Sequence, residues 1–343
     1  MRPSSNQKGH KVKPGLRKDS KLRFVKNFFT YRSSSIFLVF IGLILLFTFF
    51  SQHRFTRRAN IEVLLALGPE FSIVALGVGM LMISGEFDLS VGSILVFCSF
   101  IFIRLFEIKM NLFLAGGITL GAGALLGYLN GLITTKAHIP SFITTLGTMM
   151  LWRGMTLILS QGFTRPFNPE VVPLFSSVLT GKIGGILPVQ VVWFGVFGLI
   201  LGVVLHFHKF GNWVYATGDN KEAARAMGIN TDRVKTICFM IVGILCAFVA
   251  VMQIVRVSTF SSRAGDGWEL KAITASVVGG TSLMGGIGSM VGIFLGTLTI
   301  SVIENGLVVS RIPYFWTYIV FGLVIISSVL SSLYLERRKL RRG

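Results

Sequence analysis

The chain has 343 residues, 52% of them hydrophobic and 14% charged, with a mean hydropathy of +0.72. That balance excludes a soluble globular domain, and 39 glycines with 30 phenylalanines exclude a coiled coil. The net charge of +19 gathers at the two ends and leaves the middle apolar, the pattern of an integral membrane protein.

Residues 1–33 carry ten Lys or Arg against the single acid Asp19. They contain no recognisable nucleic-acid module, so the expected partner is the anionic inner leaflet, with no nucleic acid bound. The segment is too long and basic for a secretory signal. It is expected to be a disordered cytoplasmic tail, followed by a transmembrane domain over 34–335 and a second basic tail over 336–343.

Apolar runs near the length of about 20 residues that crosses a hydrocarbon core recur at 35–50, 61–83, 89–106, 112–134, 142–160, 190–207, 236–255, 268–284, 288–308 and 315–334. The expected fold is therefore an all-α polytopic membrane protein of about ten transmembrane helices. In the second span Pro69 frees a backbone carbonyl, which predicts a kink, and Glu70 follows it. A glycine-containing break then runs from Ile83 to Ser93. Gly85, Asp88, Ser90, Gly92 and Ser93 are its hinge candidates, and Asp88 or Ser90 is placed to cap the next helix.

The fourth span holds Asn130 and a series of small residues, Gly116, Gly117, Gly121, Gly123 and Gly127, suited to close helix packing. The fifth opens with Thr144, Thr145 and Thr148. Between the sixth and seventh spans lies a charged, alanine-rich stretch, Gly218-Asp219-Asn220-Lys221-Glu222-Ala223-Ala224-Arg225-Ala226-Met227-Gly228-Ile229. High helix propensity, Asp219 or Asn220 as cap and Gly228 as stop predict a short helix over about 219–229. Glu222 and Arg225, three apart, are placed to pair with each other or with a partner. A structured element between two spans suggests that something docks there.

A second break, Val278 to Ser289, repeats the pattern of the first, with Gly279, Gly280, Gly285 and Gly286 as hinge candidates and Ser282 as a cap. The likeness suggests an internal duplication. Glu304 and Asn305 lie near the end of the ninth span. The tail then adds Arg337, Arg338, Lys339, Arg341 and Arg342. Basic ends remain in the cytoplasm, so both termini lie inside and the number of spans is even.

Glu70, Asn130, Thr144, Thr145, Thr148, Glu304 and Asn305 form a sparse polar set inside the spans, suited to transient contact with a polar, uncharged solute. The bland alternative is hydrogen bonding between helices. No paired acids or Asp/His chains suggest a proton relay. Cys98, Cys238 and Cys246 have no metal spacing, the five histidines are scattered, and no phosphate loop, HExxH or GxSxG occurs. Neither a metal site nor an ATPase or other catalytic site is expected.

The chain resembles the permease subunits of the ribose-type sugar ABC importers, a group that includes ribose, galactose and autoinducer systems. Residues 218–229 are similar to that family's cytoplasmic coupling segment, and Ser84-Gly-Glu-Phe-Asp-Leu-Ser-Val-Gly-Ser93 to its Asp-Leu-Ser-Val-Gly-Ser signature. Asn130-Gly-Leu132, Pro140-Ser-Phe-Ile-Thr-Thr-Leu-Gly-Thr148, Val277-Val-Gly-Gly-Thr-Ser282 and Asn305-Gly-Leu307 follow in order. The resemblance implies a location in a prokaryotic cytoplasmic membrane and a solute path between two permeases, copies or paralogues. It also implies an external solute-binding protein and a cytoplasmic ATP-binding subunit, with ATP and Mg held there and no cofactor here. The coupling residues would be Gly218, Asp219, Asn220, Glu222, Ala223, Ala224, Arg225, Met227 and Gly228, and the cargo a monosaccharide. A nucleoside permease, an ion-coupled secondary carrier and a membrane-embedded enzyme are the alternatives.

Overall fold

A computed structural model describes residues 32–313 and 315–340. Both basic tails fall wholly or partly outside these residues. The described chain is mostly helical. In order come α1 (Arg32–Phe50), α2 (Arg58–Ile83), α3 (Val91–Glu107), α4 (Leu112–Lys136) and α5 (Ser141–Ser160). Then follow α6 (Pro173–Thr180), α7 (Val189–Phe207), α8 (Lys209–Asp219), α9 (Lys221–Ala226) and α10 (Thr231–Val257). α11 (Trp268–Val278), α12 (Met290–Val309) and α13 (Trp316–Leu340) complete the chain. Among the described residues six helices, α2, α4, α5, α7, α10 and α12, are long and apolar enough to cross a membrane.

α2 and α10 form the centre, each with about two thirds of its most apolar stretch buried. From Pro69 onward every residue of α2 is buried, and the helix runs on through the proline to Ile83. Neighbouring helices on all sides hold it in register.

α4 lies against α10 along a seam of small residues. Gly123 and Gly127 press their backbones on Gly243 and Phe239, and Gly131 meets Thr236, so no side chain fits between the helices. Only part of the predicted glycine series works this way. Gly117 and Gly121 have open space beside them, and Gly116 reaches only the ring of Phe175.

The expected span at 268–284 is overturned in its second half. α11 has 11 residues, about 17 Å at 1.5 Å per residue, and ends at Val278. Residues 279–289 fold as a loop, with Gly280, Gly285 and Gly286 at positive φ. Ser289, and not Ser282, caps α12, its Oγ accepting from Gly292 N–H at 3.0 Å.

At the end of the bundle where α10 finishes, two-residue strands β1 (Arg165–Pro166) and β4 (Thr259–Phe260) pair antiparallel. They pack with Phe102, Phe106, Phe167 and Phe175 in an aromatic cluster. The hairpin β2 (Lys182–Ile183) and β3 (Leu187–Pro188) and α6 lie between α5 and α7.

Candidate functional site: a coupling junction and a polar cavity

The charged segment after α7 folds as two helices where one was expected. Gly218 and Asp219 finish α8, Asn220 turns the chain at φ −151° and ψ 101°, and α9 spans only Lys221–Ala226. Asn220 is the cap, its Oδ1 accepting from Ala223 N–H at 3.0 Å, so Asp219 does not serve. Gly228, at φ 83°, ends the turn. Ala224 is buried, while Glu222, Ala223 and Met227 face outward. Arg225 does not pair with Glu222. Its guanidinium donates to Thr231 Oγ1 at 2.9 Å and Asp232 Oδ1 at 2.7 Å, pinning α9 to the start of α10.

The base of this segment meets both glycine breaks. Gly218 packs its Cα on Ile83 O and Gly286 N, Gly285 rests on Gly218 and Gly85, and Gly286 touches Asp219. Gly286 N–H donates to Ile83 O at 2.9 Å, closing the two breaks on one another. Gly85 and Gly285 sit at φ 85° and 84°, a region that a side chain rarely tolerates. Tyr215 of α8 donates its hydroxyl to Gly288 O at 2.8 Å, and burial raises the phenol pKa, so it remains a donor. Lys235 at the start of α10 forms a shielded ion pair with Glu86 in the first break.

Ser90 holds the N-cap position of α3 as expected, but its side chain makes no cap hydrogen bond to the helix. Asp88 Oδ1 accepts from Ser90 N–H at 2.7 Å and Ser90 Oγ at 2.5 Å, and Asn130 Nδ2 donates to Ser90 Oγ at 2.8 Å. This buried cluster fastens the first break to α4. Gly92 abuts Gly265, Gly279 abuts Gly292, and Ser93 is buried. Thr144, Thr145 and Thr148 are buried on α5, which packs on α3. The hydroxyl of Thr145 donates to Ser141 O at 2.7 Å and that of Thr148 to Thr145 O at 3.3 Å.

The remaining three pathway candidates come together elsewhere. Glu70, Glu304 and Asn305 line a cavity of about 320 Å³ between α2, α10, α11 and α12. Ile83 of α2 lies at the glycine junction and Glu70 is thirteen residues up the helix, so the cavity sits about 20 Å from that junction. Arg256 grips Glu70 with two bonds, Nε to Oε1 at 2.5 Å and a terminal nitrogen to Oε2 at 2.9 Å. Lys271 pairs with Glu304 and places its ammonium 4.2 Å from the centre of the Phe71 ring. Phe71 meets Trp268 edge to face at 5.8 Å. Asn305 and Asn60 exchange amide hydrogen bonds at 2.9 and 3.0 Å.

Arg256, Lys271, Trp268 and Gln253 escaped the sequence reading. The signal was present for two of them, because a cation inside an apolar run is as costly in hydrocarbon as the acids that were noticed. Nothing local marked the other two.

Over residues 60–329 the chain matches the family model described as "branched-chain amino acid transport system / permease component". It is 36% identical over 309 residues to the xylose/arabinose import permease protein XylH of Sulfolobus acidocaldarius, covering 86% of this chain and 83% of that protein. To the ribose import permease protein RbsC of Haemophilus influenzae it is 35% identical, covering 83% and 85%. The autoinducer 2 import system permease protein LsrC of Photorhabdus luminescens is 30% identical, covering 84% and 86%. No solved structure matches. A polytopic chain whose two glycine breaks close on the base of an exposed charged segment, similar along most of its length to these permeases, belongs to the family of transport-system permease components.

Proposed function

We propose that this chain is the membrane-spanning permease subunit of an ATP-driven importer that passes a monosaccharide from an external binding protein into a prokaryotic cell. The observation that carries the reading is the glycine junction, where the exposed α9 sits on a base that touches both breaks. ATP and Mg would be held by a cytoplasmic subunit that receives α9 in a groove. Closure of that subunit would push α8 and α9, and the push would reach α2 and α12 through the junction. Asp219, Asn220, Glu222, Ala223, Ala224, Arg225 and Met227 would form or shape the contact. The permease itself hydrolyses nothing.

The solute would pass beside a second copy or a paralogue. Glu70, Glu304 and Asn305 support a polar route in the half of the membrane away from α9, since ionised groups there need water or one another rather than lipid. We read all ten long elements, α1–α5, α7 and α10–α13, as crossing, with α11 completed by its loop and both tails in the cytoplasm. Phe47 near the end of α1 packs on Gly306 near the end of α12, in keeping with that alternation. The two breaks, meeting back to back, suit an internal duplication. The xylose, arabinose and ribose of the relatives' names make a pentose the first cargo to try.

The test replaces Met227, which is 70% exposed, by cysteine and crosslinks native membranes. Recovery of an ATP-binding subunit, lost in Glu222→Lys, is the expected result. Free labelling by a water-soluble thiol reagent with no such crosslink, together with solute uptake in vesicles lacking ATP, would move the ion-coupled carrier to the front.

A further inference from the structure

Four ionised side chains, two aromatic rings and a glutamine converge on the cavity between α2, α10, α11 and α12. We infer that this cavity is a binding site, held within a single permease, for one neutral polyhydroxylated ring of monosaccharide size. The inference rests on the permease reading above, and extends it from a path shared by two copies to a site that each copy owns.

Size comes first. About 320 Å³ is at the lower end of the roughly 300–1,000 Å³ typical of small-molecule sites, enough for one compact solute. Charge comes next. The carboxylate of Glu70 is matched by Arg256 and the ammonium of Lys271 by Glu304. The four charges therefore cancel within the wall. An anion, a cation or an amino-acid zwitterion entering here would have to break one of these pairs to find its counter-charge.

A hydroxyl meets no such obstacle. Glu70, 2% exposed, is out of a solute's reach, but the partly exposed carboxylate of Glu304 has lone pairs that can accept from a hydroxyl, and guanidinium and ammonium groups have N–H bonds that can donate to one. Neighbouring hydroxyls on a ring can thus engage both members of an ion pair without parting them.

The glutamine supplies an independent observation. Gln253 lines the cavity, and among the described residues its Oε1 is buried with no hydrogen-bond partner. Buried polar atoms rarely stay unpaired, and rotation of the Gln253 amide toward the cavity would let a ligand O–H complete this one. Half-buried Trp268 adds apolar surface against which the C–H face of a ring can pack, and buried Phe71 backs it edge to face.

The test uses the full-length permease in lipid nanodiscs. Equilibrium binding of tritiated D-xylose and D-ribose is measured, with L-leucine as a zwitterion of similar size. Saturable binding of at least one pentose and none of leucine is expected. Gln253→Leu should weaken it at least tenfold while the thermal midpoint holds or rises, because the variant removes an unpaired buried acceptor. A purely structural glutamine would show the opposite pattern. Trp268→Phe, which keeps a ring, should weaken binding less than Trp268→Ala. Absence of pentose binding to the wild type, an unchanged dissociation constant in Gln253→Leu, or displacement of pentose by leucine would each overturn the site. Failure of the permease reading shows differently, as a missing ATPase crosslink at Met227. A crosslink together with unaltered ATP-driven pentose uptake in Gln253→Leu would sink the site and leave the permease standing.

Discussion

At the scale of single residues, the ion pairs of the cavity are where substitution speaks most clearly. Glu70 is nearly inaccessible and is answered by a bidentate guanidinium. Removing one partner strands a buried charge, which costs about 3–5 kcal/mol, while removing both leaves a neutral wall. Arg256→Gln should therefore lower the thermal midpoint in detergent sharply, and Glu70→Gln with Arg256→Gln should recover most of the loss. A double variant no more stable than Arg256→Gln would mean that the pair is not coupled. Gly218 offers a second case. Its Cα faces Ile83 O and Gly286 N with no room for a methyl, so Gly218→Ala must separate α8 from the breaks. The expected result is a permease that inserts and assembles but no longer stimulates the ATPase of its complex, measured as phosphate release with and without the loaded binding protein.

At the scale of elements, α9 is a six-residue helix, too short to hold itself together in water. Its shape depends on the Asn220 cap and on Arg225 reaching to Asp232 and Thr231. The ion pair is exposed and contributes only about 0–1 kcal/mol to stability. Arg225→Asp should accordingly leave folding intact and reduce uptake, with partial recovery in Arg225→Asp with Asp232→Arg. Equal uptake in all three proteins would show that α9 needs no such anchor. The sequence made this helix visible through its alanines and its charges. It could not show that Gly218 and Asp219 end the helix before it, because that boundary is set by contact with residues 83 and 286. The end of α11 was legible in part: Gly279-Gly280 opens the break expected from Val278 to Ser289, and the apolar-run reading overran it, while the packing of that loop on Gly85 and Gly218 came only from the fold.

At the scale of the whole molecule, the glycine junction and the cavity lie in opposite halves of one bundle, joined by α2, α10 and α12. The topology proposed here has a direct check. Cysteines in place of Met227 and Lys182 should react with a membrane-impermeant maleimide from opposite sides of sealed vesicles, Met227→Cys only from the cytoplasmic side. Labelling of both from one side would require an even number of crossings between them. Apolar run length located most of the helices within about three residues and overran α11 by six, because hydrocarbon thickness sets the length only of an element that crosses it whole. The polar residues were less legible. Asn130 and Glu70 look equivalent in sequence, yet Asn130 fastens a break to α4 and Glu70 lines a cavity. What separates them is which helix lies opposite, and only the fold supplies that.

Where α8 meets the two breaks, main chain lies on main chain. Side chains absorb a small displacement by changing rotamer, and a backbone contact has no rotamers to change. A shift of an ångström delivered to α9 therefore has little slack to take it up before it reaches the ends of α2 and α12. On the function proposed above, the joint would work as a push-rod rather than a spring, its stroke set by how far the partner moves and not by how soft the permease is.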